Sequence, residues 1–127
     1  MDQNTIALMS QFWYKAFVKK LIMHPKAREA IRSFPREVKD KLGQALLEVQ
    51  QGAKLTMPKS RPMPTVAVGT EELRVKGSDG IYRAFYYLKD ARGIFLFHAF
   101  VKKTQKTPPI EIALGRKRLK EVLNEKI

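Results

Sequence analysis

Apolar residues recur along this chain with two different periods, three to four residues in the flanking regions and two in the middle. From Glu71 to Lys106 the sequence reads EELRVKGSDGIYRAFYYLKDARGIFLFHAFVKKTQK. It holds three runs of β-branched and aromatic residues, separated by Gly-Ser-Asp-Gly and Asp-Ala-Arg-Gly. Such runs, bounded by short Gly/Asp clusters, predict strands joined by hairpins, hence a three-stranded antiparallel meander. In the first run Leu73 and Val75 alternate with Glu72, Arg74 and Lys76, so Arg74 points away from the core. In the second, Ile81, Arg83, Phe85 and Tyr87 share one face and Tyr82, Ala84, Tyr86 and Leu88 the other, the pattern of a mostly buried central strand. A charged Arg83 on such a strand is costly unless it lies in a cleft with a partner.

The flanks carry the helical period. Ala27, Ala30, Ile31 and Phe34 stand at i, i+3, i+4 and i+7, a helix of about ten residues opened by Pro25 and closed by Pro35. Val38, Leu42, Ala45, Leu46 and Val49 form the stripe of a second helix, with Gly52 where a C-terminal glycine belongs. Together they make a hairpin whose stripes need the sheet as cover. Thr107-Pro108-Pro109 and Glu111 predict a last helix over residues 109–124, with Ile112, Gly115, Leu119, Val122 and Leu123 as its stripe. Val18–Met23 reads as a first strand ending at His24-Pro25. Residues 54–69 hold three prolines and no helical period, a basic loop or edge segment. In residues 1–17, Ile6, Met9, Trp13, Ala16 and Phe17 suit a short helical extension with Asn4 as cap, although Phe12-Trp13-Tyr14 can also begin a strand. The expected fold is α+β: residues 18–127 form one domain in which a small antiparallel sheet, the meander plus an N-terminal strand, carries the helical hairpin on one face and a C-terminal helix.

Composition narrows the chemistry. A chain of 127 residues buries roughly two-thirds of its unfolded surface on folding. Without cysteine, neither disulfides nor thiolate metal sites hold it together, and two histidines point away from a transition metal. No cofactor motif occurs. No apolar stretch reaches the ~20 residues of a membrane span, and Asp2 stands where a signal peptide would be basic, so a cytoplasmic protein is expected. Lysine and arginine number 25 against 12 acids, a net charge of +13. That excess attracts polyanions.

The strings ELRV, IYRAFYYL, FHAFVKKTQKTP and EIALGRKRL, with AIRSFPREV and SRPMP upstream, closely resemble the phage-derived branch of the HigB-like toxins. That branch belongs to the RelE/ParE superfamily of type II toxin–antitoxin systems, and the likeness runs from about Val18 to Leu123. It implies a RelE-like domain with the helical hairpin against one sheet face and a basic concave surface on the other. Many members cut mRNA on the translating ribosome and are neutralised by a helix-turn-helix antitoxin, through which the pair binds operator DNA. Other members poison gyrase, and a nucleic-acid-binding module that cleaves nothing is a third reading. Fold alone does not separate these.

Metal-free RNA cleavage requires deprotonation of the 2′-hydroxyl, stabilisation of a pentacovalent phosphate and protonation of the leaving 5′-oxygen. Arg83 suits the second task, since a guanidinium holds two phosphate oxygens and stays charged. It matches the arginine that RelE-like nucleases set on the scissile phosphate. Arg74 and Lys103 match neighbouring basic positions, and Arg61 a basic loop position. Lys102 or Lys103 can act as base or acid where like charges lower the ordinary lysine value of ~10.4. His98 has the natural pKa for either role but, alternating with Ile94, Leu96 and Phe100, also reads as a core-lining residue. Glu111 can act as a base, but a carboxylate at a helix start needs no catalytic explanation. The C-terminal Tyr or His of several RelE-like nucleases has no clear counterpart. Lys76, Lys106, Tyr82 and Tyr87 complete the candidate RNA contacts, the two tyrosines as stacking platforms.

Overall fold

A computed structural model describes residues 18–125; the extension expected at residues 1–17 lies outside them. The elements are β1 (Leu21–Met23), α1 (Pro25–Arg32), α2 (Arg36–Gln50), β2 (Ser60–Pro62), β3 (Thr70–Lys76), β4 (Ile81–Asp90), β5 (Gly93–Lys102) and α3 (Pro109–Asn124). His24 caps α1, its Nδ1 accepting from the Lys26 amide at 3.0 Å. Gly52, at φ +96°, closes α2. Its amide donates to the Val49 carbonyl at 3.0 Å and that of Ala53 to the Glu48 carbonyl at 2.9 Å, satisfying carbonyls that the helix end leaves free.

The meander is present, but the sheet is larger and mixed. Its order is β1-β5-β4-β3-β2, and β1 lies parallel to β5, with Leu21 opposite Ile94. A parallel pair needs a long crossover, and everything between β1 and β5 supplies it. The first strand is also shorter than the expected Val18–Met23. The fifth strand, β2, comes from the segment read as a loop. It escapes a periodicity argument because it is three residues long and ends in proline, which only an edge strand tolerates. Its anchor is a buried side-chain bond of 2.7 Å between the hydroxyls of Ser60 and Tyr86.

Both faces of the sheet are covered. On one, α1 and α2 bury Phe34, Val38, Leu42, Leu46 and Val49 against Leu73, Val75, Tyr82, Tyr86, Ile94 and Leu96. On the other, α3 lays Leu119 and Val122 over Phe85, Phe95, Phe97 and Phe100, with Met63 and Val66 beside them. An open basic concavity over this whole second face, as the resemblance implied, is therefore not what the fold presents: most of the face is phenylalanine, and its cations gather at one end. Arg92 secures the far end of α3 by donating to the carbonyls of Leu123 and Glu125 at 2.9 and 3.1 Å, a cation set where the helix dipole favours one.

The β4–β5 pairing contains a bulge. Phe85 lies opposite His98 and Tyr86 opposite Leu96, so Phe97 is the extra residue. Alternation breaks there. Phe97 and His98 both turn toward α3, whereas Ile94 and Leu96 face the hairpin. The expected grouping of His98 with Ile94 and Leu96 is thus corrected, while its place beside Phe100 stands.

Two helical glycines make opposite predictions. A Cβ on Gly115 would lie 2.8 Å from Phe85 Cδ2, whereas one on Gly43 would meet nothing within 4 Å. Relief of glycine's helical penalty favours alanine by about 1 kcal/mol at either site, and overpacking a core costs about 1–3 kcal/mol. In urea melts, Gly43→Ala should gain up to about 1 kcal/mol and Gly115→Ala should lose about 1 kcal/mol. A stabilised Gly115→Ala variant would show that the Phe85 ring yields freely.

Candidate functional site

Register creates the site. Arg61 on β2 stands opposite Glu72 on β3, and Arg74 on β3 stands opposite Arg83 on β4. Because strand side chains alternate, Arg61, Glu72, Arg74 and Arg83 project from the face that α3 covers further along. Leaving β5, the chain folds back over them as a strap, residues 103–106, before Thr107 and Pro108 lead into α3.

Glu72 is the hub, at 0% exposure. Its Oε1 accepts from Arg61 Nε at 3.0 Å and lies 3.6 Å from Arg74 Nε, an ion pair too long for a hydrogen bond. Its Oε2 accepts from the Thr107 hydroxyl. Thr107 in turn accepts from Arg61 Nη2 at 2.8 Å and Arg83 Nη1 at 3.3 Å. Arg83 is also fully buried and donates through Nη2 to the Thr104 carbonyl, while Arg74 Nη2 donates to Gln105 Oε1 at 2.7 Å. The Arg83 guanidinium sits 6.0 Å from the centre of the Phe100 ring.

Three guanidinium charges thus meet one carboxylate. Burial, more than any neighbour, lowers the pKa of Arg83; Glu72 opposes that shift, and the like charges of Arg74 and Arg61 add to it. The group remains a cation nonetheless. The Nε–H groups of Arg74 and Arg83 are buried and have no hydrogen-bond partner. Buried donors left unpaired are costly. The cluster's surplus of positive charge attracts anions.

Around this cluster the candidate cations divide. Lys76 and Lys103 line a hollow of about 440 Å³ together with Asp79 and Gln105, next to Arg74 through that glutamine. Lys102 is exposed at the end of β5, and Lys106 is exposed on the strap. The structure does not bring the other candidates in. Tyr82 lies on the opposite sheet face at 4% exposure, its ring edge-on to Phe34 and its hydroxyl donating to Asp79. Tyr87 is half-buried against the phenylalanine cluster, four residues along β4 from Arg83.

His98 belongs to a separate network. Arg118 donates to its Nδ1 at 2.7 Å, which leaves the ring proton on Nε2, 2.9 Å from Glu111 Oε1. Burial lowers its pKa most; Glu111 opposes that, and Arg118 and the nearby His24 add to it. Glu111 therefore has a partner as well as a place at the helix start.

Sequence reasoning missed Glu72, Gln105 and Thr107. Glu72 was legible, since the string Glu72-Leu73-Arg74 sets acid and arginine on one face. The other two lie in or just after an irregular segment that no period describes.

Two predictions follow from these contacts. Glu72→Gln leaves the guanidinium surplus uncompensated and should cost about 3 kcal/mol, with added sulfate recovering part of the lost melting temperature. No change in stability would mean that the carboxylate is not the hub. For His98 the folded pKa lies below the unfolded value of about 6.5, so the unfolded chain takes up the proton first. Its contribution is complete above that pH and declines as pH falls toward the folded value. Urea melts between pH 7 and 5 should show the decline, and His98→Gln should flatten it.

No curated protein matches the sequence. Over residues 29–120, well over half of its length, it matches the phage-derived Gp49-like proteins (DUF891). The chain that carries this arginine cluster belongs to the Gp49-like family, a family associated with toxin–antitoxin systems.

Proposed function

We propose that the protein is the toxin of a type II toxin–antitoxin pair and acts as a metal-independent endoribonuclease on mRNA held by the ribosome. The observation that carries this reading is the pair of orphaned, buried guanidinium donors on Arg74 and Arg83, set among three arginines that share one carboxylate. A phosphodiester supplies the oxygens they lack.

In this reading Arg83 and Arg74 grip the non-bridging oxygens of the scissile phosphate, and their fixed charge stabilises the extra negative charge of the pentacovalent state. Fixed dipoles and charges aimed at developing charge commonly give the largest single rate contribution. The 2′-oxygen bonds to phosphorus as its proton passes to a base. The phosphorus–5′-oxygen bond then breaks as an acid supplies a proton, leaving a 2′,3′-cyclic phosphate. Lys103 and Lys76, which line the adjoining hollow, are assigned those transfers in this reading. Lys102 and Lys106 add to the field that draws the strand in. Arg61 braces the cluster through Glu72 and Thr107.

The partners of this reading are the ribosome with its mRNA and a helix-turn-helix antitoxin with an acidic segment to offset the cations; operator DNA is met only through the complex. The setting is the cytoplasm. A gyrase poison is the rival, and one experiment separates the two. On induction, Arg83→Lys, which keeps the charge but loses the fork, should lower RNA cleavage by about 100-fold or more and abolish growth arrest. Primer extension should find translation-dependent breaks only with the unaltered protein, and melting curves should show that the variant folds. Arrest with intact transcripts and altered supercoiling would assign the gyrase role instead.

A further inference from the structure

The strap presents two of the arginines with three oxygen acceptors, every one of them uncharged. Arg83 Nη2 meets the main-chain carbonyl of Thr104, and Arg74 Nη2 meets the side-chain and main-chain oxygens of Gln105 at 2.7 and 3.4 Å. The residues that supply these oxygens are themselves exposed, whereas Arg83 beneath them is wholly buried. The strap's two ends differ from its middle. β5 holds one end in the sheet. Thr107 holds the other, 5% exposed and bonded at once to Glu72, Arg61 and Arg83, and Pro108 and Pro109 behind it have fixed φ.

We propose that residues 104–106 are a built-in, uncharged occupant of the phosphate site, displaced when a nucleic-acid phosphate enters, and that Thr107 is the fixed pivot that keeps Arg61 and Arg83 forked while they move. The inference rests on the functional reading above and adds its gate. Charged phosphate oxygens make stronger hydrogen bonds to guanidinium than neutral carbonyls do, so the exchange runs toward RNA once the strap lifts. Until then, apparent affinity is reduced by the fraction of molecules in which the strap is open. Thr107 acts through the arginines, so it is a positioning residue. Lys103 and Lys106 ride at the strap's edges and travel with it, so lifting the strap also redistributes charge beside the incoming strand.

Neighbouring residues should therefore have effects of opposite sign, which a purely structural loop would not give. Titrating a fluorescein-labelled single-stranded RNA into the full chain, Gln105→Ala should bind about 5-fold tighter, because one closing hydrogen bond is lost. Thr107→Val should bind about 5-fold weaker, and Thr107→Ser should bind as the unaltered protein does. Bound RNA should speed amide exchange at residues 104–106. Arg83→Lys separates the two layers of the argument. If that variant loses RNA affinity while Gln105→Ala binds no tighter and exchange in the strap is unchanged or slowed, the gate is wrong and the site stands. If Arg83→Lys binds RNA as well as the unaltered protein, the site reading fails and the gate fails with it.

Discussion

The carboxylate of Glu72, buried among guanidinium groups, is the interaction on which the rest of the structure turns. A lone ionised carboxylate at such depth would be prohibitively costly, and so would the arginines around it. Each makes the other tolerable, but not in equal number. The same two oxygens join β2 to β3 through Arg61 and join the start of α3 to the sheet through Thr107. The edge strand, the central strands and the last helix therefore meet at one side chain. The group that makes the fold self-consistent at this end is also the one that assembles the cations.

Why the cations gather here follows from how the sheet is covered. Four phenylalanines of β4 and β5 form the floor on which α3 lies, and a face that is apolar over most of its extent leaves polar residues only its end. There β3 and β4 place Arg74 and Arg83 side by side on paired strands. A sheet holds side chains more rigidly than a loop, which suits groups that, in the proposed reading, meet a phosphate in fixed geometry. The lysines of this end sit instead at strand ends, as Lys76 and Lys102 do, and on the strap, as Lys103 and Lys106 do. Arg74 and Arg83 thus lie within paired strands, and these exposed lysines at strand ends or beyond them.

That division also explains how much of the molecule was legible in its sequence. Strong periodicity carried the meander, both helices of the hairpin and α3, because each buries a stripe against the sheet and so had to repeat at its own period. Arg83 announced itself as a charge on an apolar strand. What periodicity could not reach is what breaks it. β2 is too short to alternate, the parallel setting of β1 depends on where a long crossover lands, and the bulge at Phe97 moves His98 to a face that simple alternation denies it. Tyr82 looked like a free aromatic because composition says nothing of which face α1 and α2 will cover. Thr107 could not be found, since its importance lies in three partners far away in the chain.

The unsatisfied Nε–H groups finally tie stability to function. Removing charge from this cluster, or adding a second carboxylate, would give a quieter core, since each orphaned donor costs free energy as long as no acceptor arrives. Those donors have no hydrogen-bond partner, although Arg74 Nε keeps an ion pair of 3.6 Å with Glu72 Oε1. Satisfying them within the protein would raise its stability and, in the proposed reading, weaken its hold on a phosphate. In the proposed reading, the cost of those unpaired donors and the affinity for a phosphate are linked, as expected where binding groups are organised before the ligand comes.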